Sequence, residues 1–429
     1  MKIVDKLKSY LIGSVFRSMS FVLTANIISQ LESFIFVIIA TKTLSVEDYG
    51  IYTIVMTLIY TVIELSDMGM NGAVIRFSSQ YYSQNEYDKE LEIVNMALKK
   101  KFRNSLIVIL AIIIFSKYIS IYFFSSTKYN LYFIISAFGI GFSLVNSLNN
   151  SILQGRRWYK KYFYSIVLSN LILLILILML YFTNTLSVIN IVAVNVACLL
   201  ISMIISYRLA NISIVNVFRY KPFHLDVVKN FNSFGMWMLM WSIMSIMQSK
   251  VDVFMLSTYA SKEQVSYYDL AMKMTKPILM ICSSYAQVLN PILATLTSKQ
   301  HLKNNINKIT KFVVFVTGII LISIVFAKPA IYLIFGNKYA NSILPLDIIL
   351  VSIIFFVWTI PFNGALYAMN KPYIFCIAAA VGLVTTITFN VLLLPRYGAI
   401  GASMTFLLAQ IIGLVVSIIG YRINIKKEG

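Results

Sequence analysis

The sequence predicts an all-α integral membrane protein of twelve transmembrane helices, arranged as two like six-helix lobes. Three observations carry that prediction. The 429 residues are 59% hydrophobic and only 12% charged, about half the ~25% charged share of a soluble globular protein. Apolar runs of about 20 residues recur along the whole chain, each long enough to cross a hydrocarbon core of ~30 Å. The polar residues inside those runs repeat after a shift of 216 positions.

The runs place spans at 15–41, 49–75, 104–125, 129–151, 162–182, 186–206, 231–256, 264–292, 312–334, 342–368, 373–394 and 398–421. Backbone polar groups in hydrocarbon must be satisfied internally, so each span is a helix or a closed-barrel strand. These runs are too long and too continuous for barrel strands, which need about ten alternating residues.

The formal charge of +20 reads as topogenic. With the N-terminus in the cytoplasm, and with residues toward span ends counted with the adjoining segment, 26 of the 36 lysines and arginines fall inside, seven fall outside, and Lys250, Lys273 and Lys276 remain within spans. Positive charge concentrates on the cytoplasmic side, so this alternation supports twelve spans with both termini inside. No segment between spans is long enough to fold as a nucleic-acid-binding face. The short external segments also oppose a glycan polymerase or ligase with a large catalytic loop.

The 216-residue shift places Ser45, Glu47 and Tyr52 on Ser261, Glu263 and Tyr268. Thr53, Thr57, Tyr60, Glu64, Asp67 and Asn71 form one stripe at 100° per residue; their mates Asp269, Lys273, Lys276, Met280, Ser283 and Gln287 form another. Asn26, Ser29 and Ser33 on the first span become Ser242, Ser245 and Ser249 on the seventh. The expected division is 1–207 for the first lobe, 208–230 for a cytoplasmic linker and 231–429 for the second lobe. Paired lobes are a common transporter architecture. Two equivalent polar stripes suggest a shared central cavity, with hydrogen bonding between packed helices as the alternative.

Charges at mid-bilayer cost at least ~2.5–3.5 kcal/mol each, so those in the spans are functional candidates. Lys273, Lys276 and Lys250 are candidates for holding an anionic group, and Arg76 either completes that set or snorkels to the headgroups. Glu64, Asp67, Asp269, Asp252 and Glu32 are candidates for a coupling proton or cation. The alternative is static pairing, as of Asp269 with Lys273 at i, i+4.

The acid run Glu86, Asp88, Glu90 and Glu92 is interleaved with lysines and reads as a solvated cytoplasmic helix. His224 and His301 are far apart, the three cysteines are dispersed, and no phosphate-cradling glycine loop precedes a lysine. No metal, no cofactor and no enzymatic centre is therefore expected.

Several segments resemble a known family. Leu44-Ser45-Val46-Glu47-Asp48-Tyr49-Gly50-Ile51-Tyr52 is similar to the turn after the first span of polysaccharide-transporter flippases. Asp67-Met68-Gly69-Met70 with Arg76-Phe77, Gln154-Gly155, Lys250-Val251-Asp252 and Tyr267-Tyr268-Asp269-Leu270-Ala271 resemble later motifs, with Ser266 where the family often has glycine. Phe335-Gly336-Asn337-Lys338-Tyr339 and Tyr397-Gly398-Ala399-Ile400-Gly401-Ala402 extend the likeness to about residue 420.

These are the O-antigen (Wzx-like) exporters of the MATE-containing MOP superfamily. The resemblance implies a two-lobed MATE-like fold, alternating access, and movement of a polyprenyl-pyrophosphate-linked oligosaccharide to the outer leaflet of the cytoplasmic membrane. The partners it implies are that lipid-linked oligosaccharide, membrane lipids, a proton or sodium ion, and polysaccharide polymerase or assembly proteins. The rival readings are a MATE-type drug or cation antiporter, which would favour a cavity without lysines, and a murein-precursor flippase, whose chains are longer.

Overall fold

The computed structural model describes the backbone of residues 2–211, 250–294, 299–368 and 373–427, with Phe231, Leu239, Ile243 and Met247. Side chains are described for most of these from Ser20 onward. The described residues are almost wholly helical. Seven helices come first: α1 (Lys2–Thr43), α2 (Val46–Asp67), α3 (Met70–Ser83), α4 (Tyr87–Phe124), α5 (Asn130–Gly155), α6 (Tyr159–Phe182) and α7 (Val188–Ala210). After helical residues 250–259 come α8 (Lys262–Ala294), α9 (Lys299–Phe335), a short 3-10 turn (Asn337–Ser342), α10 (Ile343–Ala368) and α11 (Tyr373–Lys427). Nine helical stretches among the described residues are long and apolar enough to cross a membrane, and the protein is a multi-pass membrane protein. The predicted linker after residue 211 and most of the seventh span, 231–256, lie outside the described residues.

The chain divides into two compact units: Met1–Thr43 with Val55–Ile243, and Leu44–Ile54 with Met244–Gly429. In the first unit α5 packs on α4, α7 and α3, and α6 packs on α1 and α7. Its core includes Ala73, Val74 and Phe77 of α3, Ile93, Val94 and Ala97 of α4, and Leu148 and Ile152 of α5. In the second unit α10 packs on α8, α9 and α11.

Two expectations change against this fold. The predicted second span, 49–75, is broken: Met68 and Gly69 adopt positive φ of 51° and 69°, ending α2 and starting α3. Asn71 therefore sits on a different helix from the rest of its predicted stripe. The last two predicted spans correspond to the two helical parts of α11, which Gly398, at φ 52° and ψ −126°, separates by turning the chain. The Gln264 Oε1 atom accepts the Ala399 N–H at 2.9 Å there, and a Cβ on Gly398 would meet that same oxygen at 2.6 Å.

The second change concerns the acid run. Glu90 and Glu92 are each 1% exposed, while Asp88 stays exposed. α4 has 38 residues, about 57 Å at 1.5 Å per residue, so it reaches well past one hydrocarbon core and packs its extension against α3 and α5. Arg156 grips Glu90 with two bonds, Nε to Oε1 at 2.8 Å and Nη2 to Oε2 at 2.9 Å. Ser78 donates to the same carboxylate at 2.9 Å, and Arg156 Nη1 also reaches the Ala210 carbonyl at 3.1 Å. Arg156, counted from the sequence as a free topogenic charge, thus ties α3, α4 and α7 to the end of α5.

In the second unit, residues 44–54 lie against the start of α8. Lys262 pairs with Glu47 at 3.2 Å, and Ser266 Oγ donates to the Val46 carbonyl at 2.6 Å. Gly50 allows this approach, because a Cβ there would stand 2.0 Å from the Lys262 carbonyl oxygen. Gly50→Ala is expected to destabilise the purified protein by about 1–3 kcal/mol through overpacking. Gly413→Ala, at a site with nothing within 4 Å, should leave stability unchanged or slightly raised. Thermal unfolding in detergent checks the contrast; equal effects would contradict it.

Candidate functional site

The candidate residues separate into two groups by unit. In the first unit, Asp67 ends α2 at the break. One of its oxygens accepts from Lys101 Nζ of α4, and the other accepts the Asn71 N–H of α3 at 3.2 Å. Lys101 also donates to Asn71 Oδ1 and to Ser147 Oγ of α5, both at 3.1 Å. One turn on, Asn104 Nδ2 donates to the Ser66 carbonyl at 3.3 Å. Two polar side chains of α4 thus clasp the break, and Asp67 both caps α3 and balances a lysine that is 0% exposed.

Lys101 is absent from the sequence-derived candidates. It stands in the run Lys99-Lys100-Lys101 before an apolar span, which reads as topogenic charge, and only the tertiary packing of α4 on α5 buries the third lysine. The Asp67-Met68-Gly69 tripeptide was the available signal, since a carboxylate just before a glycine is a common helix-end and helix-start pattern.

Elsewhere in the first unit the candidates are dispersed. Glu64 is exposed and joins no ion pair among the described residues. Glu32 is half-buried, within electrostatic reach of Tyr60 and Cys198. Ser29 accepts from Asn170 of α6, which is the helix-packing role for that position. Ser33 is half-buried, and Asn26 and Tyr60 are exposed. Arg76 is exposed on α3, with its guanidinium 5.6 Å from the centroid of the Phe77 ring.

In the second unit, the predicted i, i+4 pair forms: Lys273 Nζ lies 2.7 Å from Asp269 Oδ2. The same carboxylate oxygen accepts from the Tyr49 hydroxyl at 3.0 Å and from Thr53 Oγ1 at 3.3 Å. Lys273 also donates to the Tyr49 hydroxyl at 3.0 Å and lies 5.2 Å and 5.8 Å from the Tyr49 and Tyr52 ring centroids. Tyr49 is fully buried. Lys276, three residues on and on the same face, is exposed and feels the charges of Lys273, Asp269 and Lys250.

Asp252 has a different environment. It is 5% exposed and accepts from the Tyr268 hydroxyl at 2.9 Å and from Asn390 Nδ2 at 2.8 Å. These two are neutral, so Asp252 stands apart from Asp67 and Asp269, each of which has a lysine against it. Asn390 and Tyr49 were not among the residues the sequence singled out as sites. Ser242, Ser245 and Ser249 lie outside the described residues, as do the side chains of Ser283 and Gln287 on α8. Among the described residues no cluster of three or more His, Cys, Asp or Glu could hold a metal ion.

The chain matches the family model described as polysaccharide biosynthesis protein over residues 39–344. It is 23% identical over 380 residues to an uncharacterized membrane protein of Methanocaldococcus jannaschii, covering 83% of this chain and 74% of that one. Among solved structures, the lipid II flippase MurJ in an inward closed conformation superposes with a TM-score of 0.74 at 16% identity, covering 94% of this chain and 87% of that one. An inward-facing multidrug resistance MATE transporter of the MOP superfamily gives 0.71 at 12% identity, with 93% and 95% covered. A MOP superfamily transporter from Pyrococcus furiosus gives 0.66 at 12% identity, with 96% and 95% covered. The fold is thus MATE-like, and the neighbours that share it are flippases and transporters rather than enzymes.

The clasp at the α2–α3 break generates a stability prediction. Lys101→Met leaves Asp67 without its lysine and should cost about 3–5 kcal/mol, whereas pairing it with Asp67→Leu should recover most of the loss. Thermal unfolding of the purified single and double variants measures both; a single variant as stable as the parent would show that the pair contributes nothing.

Proposed function

The chain belongs to the polysaccharide biosynthesis protein family, and on that premise we propose that it is a flippase. Its cargo is a polyprenyl-pyrophosphate-linked oligosaccharide, a repeat unit of O-antigen, capsule or a similar surface polymer. It carries that cargo from the cytoplasmic to the outer leaflet of the cytoplasmic membrane by alternating access, with both termini cytoplasmic. The halves 1–207 and 231–429, joined by the linker 208–230, act as its two lobes. Polymerase or assembly proteins receive the delivered unit.

The observation that carries this reading is the lysine set of the second unit. Lys276 lies within electrostatic reach of both Lys273 and Lys250, and Asp269 is paired to Lys273. Like charges gathered in a low-dielectric setting repel strongly. An anionic headgroup offsets that repulsion, and a diphosphate offers several acceptors to ammonium donors. A cationic drug would meet the same lysines as a barrier, which disfavours the drug-exporter alternative.

Coupling to proton or sodium entry is assigned to the span carboxylates. Asp252 is favoured among them, because its partners Tyr268 and Asn390 are neutral and leave its charge unbalanced. Asp67 and Asp269 already carry lysine partners, and Glu64 and Glu32 remain secondary candidates.

Replacing Lys273 and Lys276 together by Gln should abolish surface polysaccharide and accumulate the lipid-linked intermediate on the cytoplasmic side, with protein still present in the membrane. Full polysaccharide in that double variant would overturn the anion-site assignment.

A further inference from the structure

Lys273 has two roles that compete for one ammonium. As proposed above, it holds the anionic headgroup of cargo. In the structure its ammonium is already engaged by Asp269 and by the Tyr49 hydroxyl. An ammonium has three donors in all, and its side chain is 18% exposed, so an arriving anion reaches it. We propose that Tyr49, Asp269 and Lys273 form a latch on residues 44–54, and that the diphosphate of cargo opens it by competing for Lys273. The proposal rests on the flippase reading and names how the cargo's chemistry would trigger movement.

The contacts explain why the latch depends on Lys273. Tyr49 is the fully buried residue of the 44–54 segment that reaches into the α8 stripe, and its hydroxyl donates to Asp269 while accepting from Lys273. Thr53, one turn on, joins the same carboxylate. Lys273 is the cation hydrogen-bonded into this closed triangle, with the charge of Lys276 acting on the same carboxylate from farther off. Lys276 lies three residues beyond, exposed and without an ion pair among the described residues. An anion bridging the two lysines draws Lys273 off Asp269 and leaves the Tyr49 hydroxyl against a half-buried carboxylate that has lost its paired cation, an unfavourable state that loosens the segment.

Residues 46–54 are the first turns of α2, which continues as one helix through Asp67. Freeing them therefore frees the α2 end that the charge pattern places outside. Tyr49 is a positioning residue in this scheme: it acts on cargo through Lys273 and on α2 through its own place in the helix.

Hydrogen exchange on the purified full chain tests the latch, following the peptide that covers residues 44–54. Inorganic pyrophosphate should speed exchange at residues 49–54 about tenfold, the factor expected for losing one charge-assisted hydrogen bond. Sulfate at equal ionic strength should not. Tyr49→Phe keeps the ring and removes only the hydroxyl, and should exchange faster without pyrophosphate; Asp269→Asn should do the same. Lys273→Gln should be fast and indifferent to pyrophosphate. Exchange unmoved by pyrophosphate in the parent protein, or moved equally by sulfate, would overturn the latch. Failure of the flippase reading is read separately, as absence of oligosaccharide transport by the parent protein in vesicles.

Discussion

A charge buried among packed helices must find its partner inside the protein, because neither packed side chains nor hydrocarbon supply the water that would otherwise solvate it. Much of this structure follows from how that constraint is met. Asp67 meets Lys101 at the break between α2 and α3. Glu90 meets Arg156 where α3, α4, α5 and α7 converge. Asp269 meets Lys273 where the 44–54 segment touches α8. Each pair sits where helices meet or end, so it specifies their placement as well as neutralising charge. Ion pairs of this kind add little net stability compared with apolar packing, but removing one partner is costly.

The functional reading comes from the places where this balance is incomplete. Lys276 stands near the positive charges of Lys273 and Lys250, with the Asp269 carboxylate, already paired to Lys273, also acting on it. Asp252 has neutral donors in place of a cation. A transporter of a diphosphate-linked cargo needs the first kind of imbalance to receive its headgroup, and an ion-coupled transporter needs the second. The same lysine that would receive cargo also contacts Tyr49 at the start of α2, so in the proposed latch binding and movement share one group.

The helical membrane fold was legible in the sequence because span length and the polar stripes are local properties. The i, i+4 pairing of Asp269 with Lys273 was legible for the same reason. Lys101, Glu90 and Arg156 were not. Each lies in a charged stretch that reads as solvated, and only the helical extension of α4, packed on α3 and α5, buries it. The break after Asp67 was visible as an Asp-Met-Gly tripeptide, yet the apolar run continued through it, and hydropathy alone made one long span. Tyr49 was legible as part of a motif but not as a partner of Asp269, since the contact joins residues 220 apart.

The central claim is that the lysine set recognises a diphosphate. Its most direct test is transport in vesicles containing only the purified protein. A polyprenyl-diphosphate-linked oligosaccharide and an uncharged polyprenyl-linked analogue are each loaded in one leaflet, and their arrival in the other is followed with a membrane-impermeant glycosidase. The account predicts transport of the diphosphate-linked form well above protein-free vesicles, and at least about tenfold slower transport of the uncharged form, the loss expected for a missing charge-assisted contact. Equal rates for the two would contradict it.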